Sequence, residues 1–243
     1  MKRLLDVSIA FSGLLIFFPI IIIVILIIWL QDHGNPFYIA ERIGKDGIPF
    51  RMYKLRTMVV NADLTGVDST SSNDNRITSI GKFIRKFKID EISQLINVLL
   101  GDMSLVGPRP NVLRETSMYT DLEKELLNVK PGITDFASIV FSDEGEILSN
   151  SQDPDIDYNQ LIRPGKGYLG IFYIRNQSVK LDLMLIFLTA LAIISRKKAL
   201  YFIKNILLSY EAEAYLVNIA SRESKLTPMP PMGSDEIVRK RNQ

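Results

Sequence analysis

Asp90 and Glu91 stand side by side in Phe87-Lys88-Ile89-Asp90-Glu91-Ile92-Ser93-Gln94-Leu95, and paired carboxylates suit chemistry at phosphorus. Apolar residues recur at Ile89, Ile92, Leu95, Ile96 and Leu99, a spacing that predicts a helix ending near Gly101. On one helix the two acids point about 100° apart, close enough to share a substrate or metal but aimed differently. One carboxylate can attack phosphorus while its neighbour holds a divalent cation. Two acids in a first helical turn can also do no more than complement the helix dipole. The surroundings must decide.

The rest of the chain narrows the chemistry. None of the 243 residues is cysteine, which removes disulfides, thiolate zinc sites and cysteine nucleophiles. His33 is the sole histidine, so a His-rich metal cluster is excluded and a Ser-His pair has little prospect. A net charge of +2 gives no global field to draw nucleic acid. Catalysis is left to Asp, Glu, Lys, Arg, hydroxyls or a bound metal.

The cations are clustered. Phe37–Ala40 and Phe50–Met58 read as strands joined by the turn Gly44-Lys45-Asp46-Gly47. In the second run Lys54 and Arg56 share a face, as two diphosphate ligands would. Lys82, Arg85, Lys86 and Lys88 interleave with Phe83, Ile84 and Phe87, the pattern of an amphipathic helix at a membrane surface. Pro108 and Pro110 bracket Arg109 and stiffen the backbone behind a guanidinium suited to phosphate. Lys130-Pro131-Gly132 offers a cation, a rigid corner and a glycine that lets backbone approach a ligand.

Val7 to Leu30 is almost wholly apolar and reads as a bilayer-embedded helix, too long for a cleaved signal. Pro19 interrupts it. Lys2 and Arg3 flank one side, and Arg42, Lys45, Arg51, Lys54 and Arg56 the other, so the positive-inside bias places both flanks in the cytoplasm. A re-entrant helix-break-helix hairpin at Pro19 satisfies both facts; a single-pass anchor is the alternative. The expected organisation is a membrane hairpin over 1–32, a catalytic domain over 33–200 and an extension over 201–243. The extension is Pro-rich at Pro228, Pro230 and Pro231, with a disordered end. The polar stretch 61–76 reads as a mobile loop, and Leu183–Ile194 as a core or interfacial helix too short to span.

Together these segments resemble the monotopic polyprenyl-phosphate phosphoglycosyl transferases, the bacterial sugar transferase family. The resemblance runs from about Lys2 to Arg196. It rests on the Lys2-to-Asp6 start, the proline-broken apolar segment, Tyr53-Lys54-Leu55-Arg56-Thr57-Met58 and Ile89-Asp90-Glu91. It rests further on Gly101-Asp102-Met103-Ser104-Leu105-Val106-Gly107-Pro108-Arg109-Pro110 and Lys130-Pro131-Gly132-Ile133-Thr134.

The resemblance implies transfer of a sugar-1-phosphate from a UDP-sugar to undecaprenyl phosphate with release of UMP, the first step of a surface glycan such as capsule, O-antigen or exopolysaccharide. Asp90 would be the nucleophile of a covalent aspartyl-phosphosugar, Glu91 the Mg²⁺ ligand, and Arg85 and Arg109 phosphate contacts. Pro19 would break the membrane hairpin. The implied fold is α/β: interfacial amphipathic helices, a small sheet element and a compact globular domain at the cytoplasmic face of the bacterial inner membrane, among its lipids. A homodimer is left open.

The chain departs from the family pattern at Phe18 (usually serine), Lys88 (often a small hydroxyl residue), Asp135-Phe136-Ala137-Ser138 and Gly170 (often acidic). Asp135 and Gly170 motivate an alternative, a catalytically silent membrane scaffold for glycan assembly.

Overall fold

In the computed structural model, which describes residues 1–62 and 70–240, the apolar run forms a single helix whose two ends both grip the rest of the chain. This helix, α1 (Lys2–Asp32), is 31 residues long with Pro19 inside it. Among the described residues it is the one helix long and apolar enough to cross a membrane. The sequence predicts a break at Pro19; in the structure the helix continues through it. The reason is local: proline's fixed φ is itself helical, and it deletes one N–H without having to end the helix.

Most of α1 is uncovered, with Phe11, Leu15, Ile16, Phe18 and Ile23 exposed. Its ends are not. Ala10 is buried in the main core, while Val24 and Ile28 are buried with Leu55 and Ile84. Asp32 closes the helix with a two-pronged ion pair to Arg56 (2.5 and 2.7 Å).

The predicted hairpin forms. β1 (Phe37–Ile43) and β2 (Pro49–Leu55) pair antiparallel, Phe37 opposite Leu55 and Ile43 opposite Pro49, around a tight turn at Lys45–Gly47. Asp46 and Gly47 both take positive φ there, which the Asp-Gly pair tolerates. After the loop that lies partly outside the described residues come α2 (Ser79–Lys86), α3 (Ile89–Ile92) and α4 (Leu95–Leu100), ended by Gly101 at φ 96°. Thr78 caps α2 by accepting from the Gly81 N–H (3.0 Å). Phe83 and Phe87 stay exposed as a ring pair beside Lys82 and Lys86, in keeping with an interfacial face.

A second two-stranded element is parallel: β3 (Ser104–Val106) against β4 (Gly132–Thr134). The short helices α5 (Leu113–Thr116) and α6 (Asp121–Lys124) lie in the crossover between them. Then follow α7 (Phe136–Val140), α8 (Glu144–Ile147), α9 (Pro154–Asp157), α10 (Arg163–Asn176), α11 (Val179–Ser209) and α12 (Ala214–Ser221). The predicted Leu183–Ile194 segment is the first half of α11, which kinks at Ser195; Leu185 and Leu188 face the core while Phe187 and Ile194 are exposed. Among the described residues helices carry most of the fold, with two small two-stranded sheets.

Residues 222–240 form no regular element, yet they follow the domain surface instead of leaving it. Met229 N–H donates to Gln160 O (3.0 Å), the Gln160 side chain donates to Val238 O (2.6 Å), and the Thr120 hydroxyl donates to Met232 O (2.5 Å). The disorder expected of the chain's last residues falls at the end of this strap, and 241–243 lie outside the described residues. The strap's Pro-rich backbone finds partners that sequence composition does not reveal.

Beside this strap lies the most deeply buried ion pair among the described residues. Arg163 donates twice to Glu123 (2.9 and 2.5 Å) and also to Met118 O and Asn159. Glu123 doubles as the third residue of a capping box with Thr120. Removing one partner leaves a buried charge alone, so Arg163→Met should cost about 3–5 kcal/mol in denaturant unfolding. Asp121→Ala, which removes the solvent-exposed partner of Lys124, should leave unfolding unchanged. Equal effects would refute the burial argument.

Candidate active site

The acids sit where two elements are stitched together by polar side chains. Asn97 on α4 accepts from Tyr53 N–H (2.9 Å) and donates to Arg51 O (2.7 Å), so its amide pairs with β2 as a strand would. Ser93 donates its hydroxyl to Tyr53 O (3.1 Å). Both side chains are buried. They hold β2 against α3 and α4, which brings Lys54 of β2 onto Asp90 of α3 (Nζ–Oδ2 2.8 Å). The predicted single helix is thus two short ones, with Ser93 and Gln94 forming the joint. Lys88 adopts φ 58° and starts α3 abruptly after α2.

Asp90 and Glu91 do aim differently. Asp90 is 2% exposed, with Lys54 on one oxygen; the other, Oδ1, is buried and accepts no hydrogen bond among the described residues. Glu91 points to Arg109, which donates from Nη2 to Oε1 (2.8 Å), with Lys88 at 3.6 Å from the same oxygen. Burial pushes the Glu91 carboxyl upward, but the charges of Arg109, Lys88 and Lys54 outweigh it and hold the group well below the usual carboxylate range. The Glu91 charge likewise keeps the Arg109 guanidinium protonated.

Arg85 comes from α2. Its Nε donates to the Thr57 hydroxyl (2.8 Å), and burial lowers its pKa while Asp90 and Asp74 pull the other way. Four cations, Lys54, Arg85, Lys88 and Arg109, therefore surround two carboxylates. That excess of positive charge fits an anionic ligand with two phosphates.

Not every predicted residue joins the cluster. Arg56 turns away from Lys54 and pairs with Asp32, so it fastens the end of α1 instead of facing the acids. Lys130 is exposed at the far end of α4, beside Gly101 and Arg3. Pro108 is buried, and its carbonyl accepts from Gly132 N–H (3.0 Å), fixing the loop behind Arg109. Gly132 does admit close backbone approach, but from Gly107: a Cβ on Gly132 would sit 2.1 Å from Gly107 N.

The two odd positions have structural explanations. Asp135 caps α7, accepting from the Ser138 N–H (2.7 Å) and hydroxyl (2.6 Å), while burial pushes its carboxyl up. Gly170 makes room for Leu126, whose Cδ2 would lie 2.7 Å from an added Cβ. Sequence reasoning missed Ser93, Asn97, Thr57 and the charge of Lys88 as site residues. The signal for the first two was visible: polar residues four apart on a face otherwise built of Ile and Leu.

Among the described residues no three acidic or imidazole side chains gather into a metal cage. Mg²⁺ seldom needs one, since it is commonly held by one or two carboxylates together with substrate phosphates and water. The ionised Glu91 carboxylate is a ligand of that kind, so the residues present fit a hard cation that arrives with a diphosphate.

Several known proteins are similar to this chain over much of its length. A putative undecaprenyl-phosphate N-acetylgalactosaminyl 1-phosphate transferase of Bacillus subtilis is 43% identical over 133 residues, covering 55% of this chain and 70% of that protein. The uncharacterized sugar transferase EpsL of the same organism is 36% identical over 189 residues, 78% of this chain and 85% of its own. A UDP-glucose:undecaprenyl-phosphate glucose-1-phosphate transferase of Klebsiella pneumoniae is 34% identical over 192 residues, 77% of this chain but only 39% of that longer protein. The profile of the bacterial sugar transferases matches residues 1–196, a span that holds α1, both small sheets and all six charged residues of the cluster, and the chain belongs to that family.

Proposed function

We propose that this chain transfers a sugar-1-phosphate from a UDP-sugar to undecaprenyl phosphate at the cytoplasmic face of the bacterial inner membrane, opening the synthesis of a surface glycan. The observation that carries the reading is the state of Asp90: one oxygen anchored by Lys54, the other buried and without a donor among the described residues, in a cluster that also holds Arg85 and Arg109. A carboxylate oxygen that gives no lone pair to a hydrogen bond is the better nucleophile, and the cations lower the cost of bringing a second anion to it.

In this reading Asp90 Oδ1 attacks the β-phosphorus of the donor. The bond from that phosphorus to the bridging oxygen breaks, its electron pair leaves with UMP, and an aspartyl-phosphosugar remains. An oxygen of the lipid phosphate then attacks the same phosphorus and returns the Asp90 carboxylate. Arg109 and Arg85 bind donor phosphates, and Lys54 orients Asp90 through its other oxygen. Glu91 would hold Mg²⁺, which when bound screens the diphosphate charge. At 2% exposure Asp90 is reached only when a ligand displaces its covering, and the more exposed Lys54 and Arg109 form the layer that meets it.

The contacts of α1 support the membrane topology in this reading. Lys2, Arg3 and Asp6 bond to the globular body near one end of α1, and Asp32 bonds to it at the other. A straight helix of 31 residues measures about 46 Å, well beyond a hydrocarbon core of about 30 Å. Ends on opposite membrane faces could not both hold one body, which supports a re-entrant course with both ends of α1 on the same face. The scaffold alternative loses its motive, since Asp135 and Gly170 each have a packing role. Membranes containing the protein, incubated with undecaprenyl phosphate, Mg²⁺ and a panel of UDP-sugars, should release UMP with at least one donor. Silence across the whole panel would refute the assignment.

A further inference from the structure

The Lys2-to-Asp6 motif is a signature that the reaction above leaves unused. Lys2 Nζ donates to Val106 O (3.1 Å), the Tyr173 hydroxyl (3.0 Å) and Asp182 Oδ2 (2.6 Å), so all three ammonium hydrogens are matched. Tyr173 in turn donates to Asp182 Oδ1 (2.6 Å). Asp6, four residues on and hence on the same face of α1, accepts from the Leu105 N–H (3.1 Å) and the Ser104 hydroxyl (2.9 Å). Between them the two side chains hold every residue of β3.

Gly107, Pro108 and Arg109 follow β3 directly, and Arg109 reaches Glu91 at 2.8 Å. The linking segment has no slack: a Cβ on Gly107 would lie 2.5 Å from Lys130 O. The same half of α1 also presses on the other side of the site, where a Cβ on Gly13 would meet Leu95 of α4 at 3.1 Å. We propose that Lys2 and Asp6 are positioning residues: they fix β3, and through it Arg109, so that donor binding depends on the first turns of the membrane helix being seated on the domain. This rests on Arg109 as a ligand of the donor diphosphate.

The test is the UDP-sugar KM of the full-length protein, with thermal unfolding used to count folded enzyme. Asp6→Ala should raise the donor KM about tenfold, whereas a merely structural role would reduce the amount of active enzyme and leave KM alone. Asp6→Asn keeps an acceptor for Leu105 and a donor for Ser104, and should return KM to within about twofold of wild type. In an Arg109→Lys background Asp6→Ala should add little further, because the contact it positions is already altered. If Asp6→Ala does not accumulate, Lys2→Met reads the same KM. Unchanged KM in an active variant overturns the proposal alone, and so does failure of both variants to accumulate. A wild-type protein silent toward every UDP-sugar overturns the function as well.

Discussion

Asp90→Asn should abolish UMP release, by about 10³-fold or more, in a protein that still reaches the membrane. Asparagine keeps the shape of the side chain in a site that is almost fully buried, so packing is preserved. It loses the nucleophilic oxygen, because a neutral amide oxygen cannot form the acyl phosphate. It also loses the charge that holds Lys54 at 2.8 Å. An amide nitrogen turned toward Lys54 would set donor against donor, so a modest loss of stability, about 1–3 kcal/mol, should accompany the loss of activity. Radiolabelled UDP-sugar would decide the matter. Wild-type enzyme without acceptor should retain label on the protein after denaturation, and the variant should retain none. Continued UMP release by Asp90→Asn would mean that the lipid phosphate attacks the donor directly, and the covalent route would fall.

The hairpin, the amphipathic α2 and the acidic pair were legible because each is a local pattern. The turn Lys45-Asp46-Gly47 and the alternation through Lys54 need no knowledge of the rest of the chain. What stayed hidden depends on partners far away in sequence. Arg56 reads as a twin of Lys54, but which cation meets the acids is decided by Asp32, 24 residues earlier, at the end of α1. The periodicity from Ile89 to Leu99 reads as one helix because it counts apolar positions only. Ser93 spends its hydroxyl on Tyr53 O, and the chain turns there. Glycine is the least legible of all: Gly132 reads as room for a ligand, and only the packed structure shows that the room is taken by Gly107.

That close approach carries the second large expectation. Gly132→Ala should destabilise the domain by about 3 kcal/mol or more and remove most activity together with it. The added methyl would lie 2.1 Å from Gly107 N and 2.5 Å from Gly107 O, and both are backbone atoms with no rotamer to escape into. Gly132 has no positive φ, so space and not conformational freedom demands glycine there. Moving Gly107 aside would break its N–H donation to Thr134 O and the bond from Gly132 N–H to Pro108 O, each 3.0 Å, and would carry Arg109 away from Glu91. Gly170→Ala is the matched control. Its clash is with the end of the Leu126 side chain, which can rotate, so a cost of about 1 kcal/mol and near-normal activity are expected. Urea unfolding and UMP release measured on both variants separate the cases. If Gly132→Ala unfolds like wild type and works as well, β3 and β4 are not as close as described, and the mechanical link from membrane helix to Arg109 has no basis.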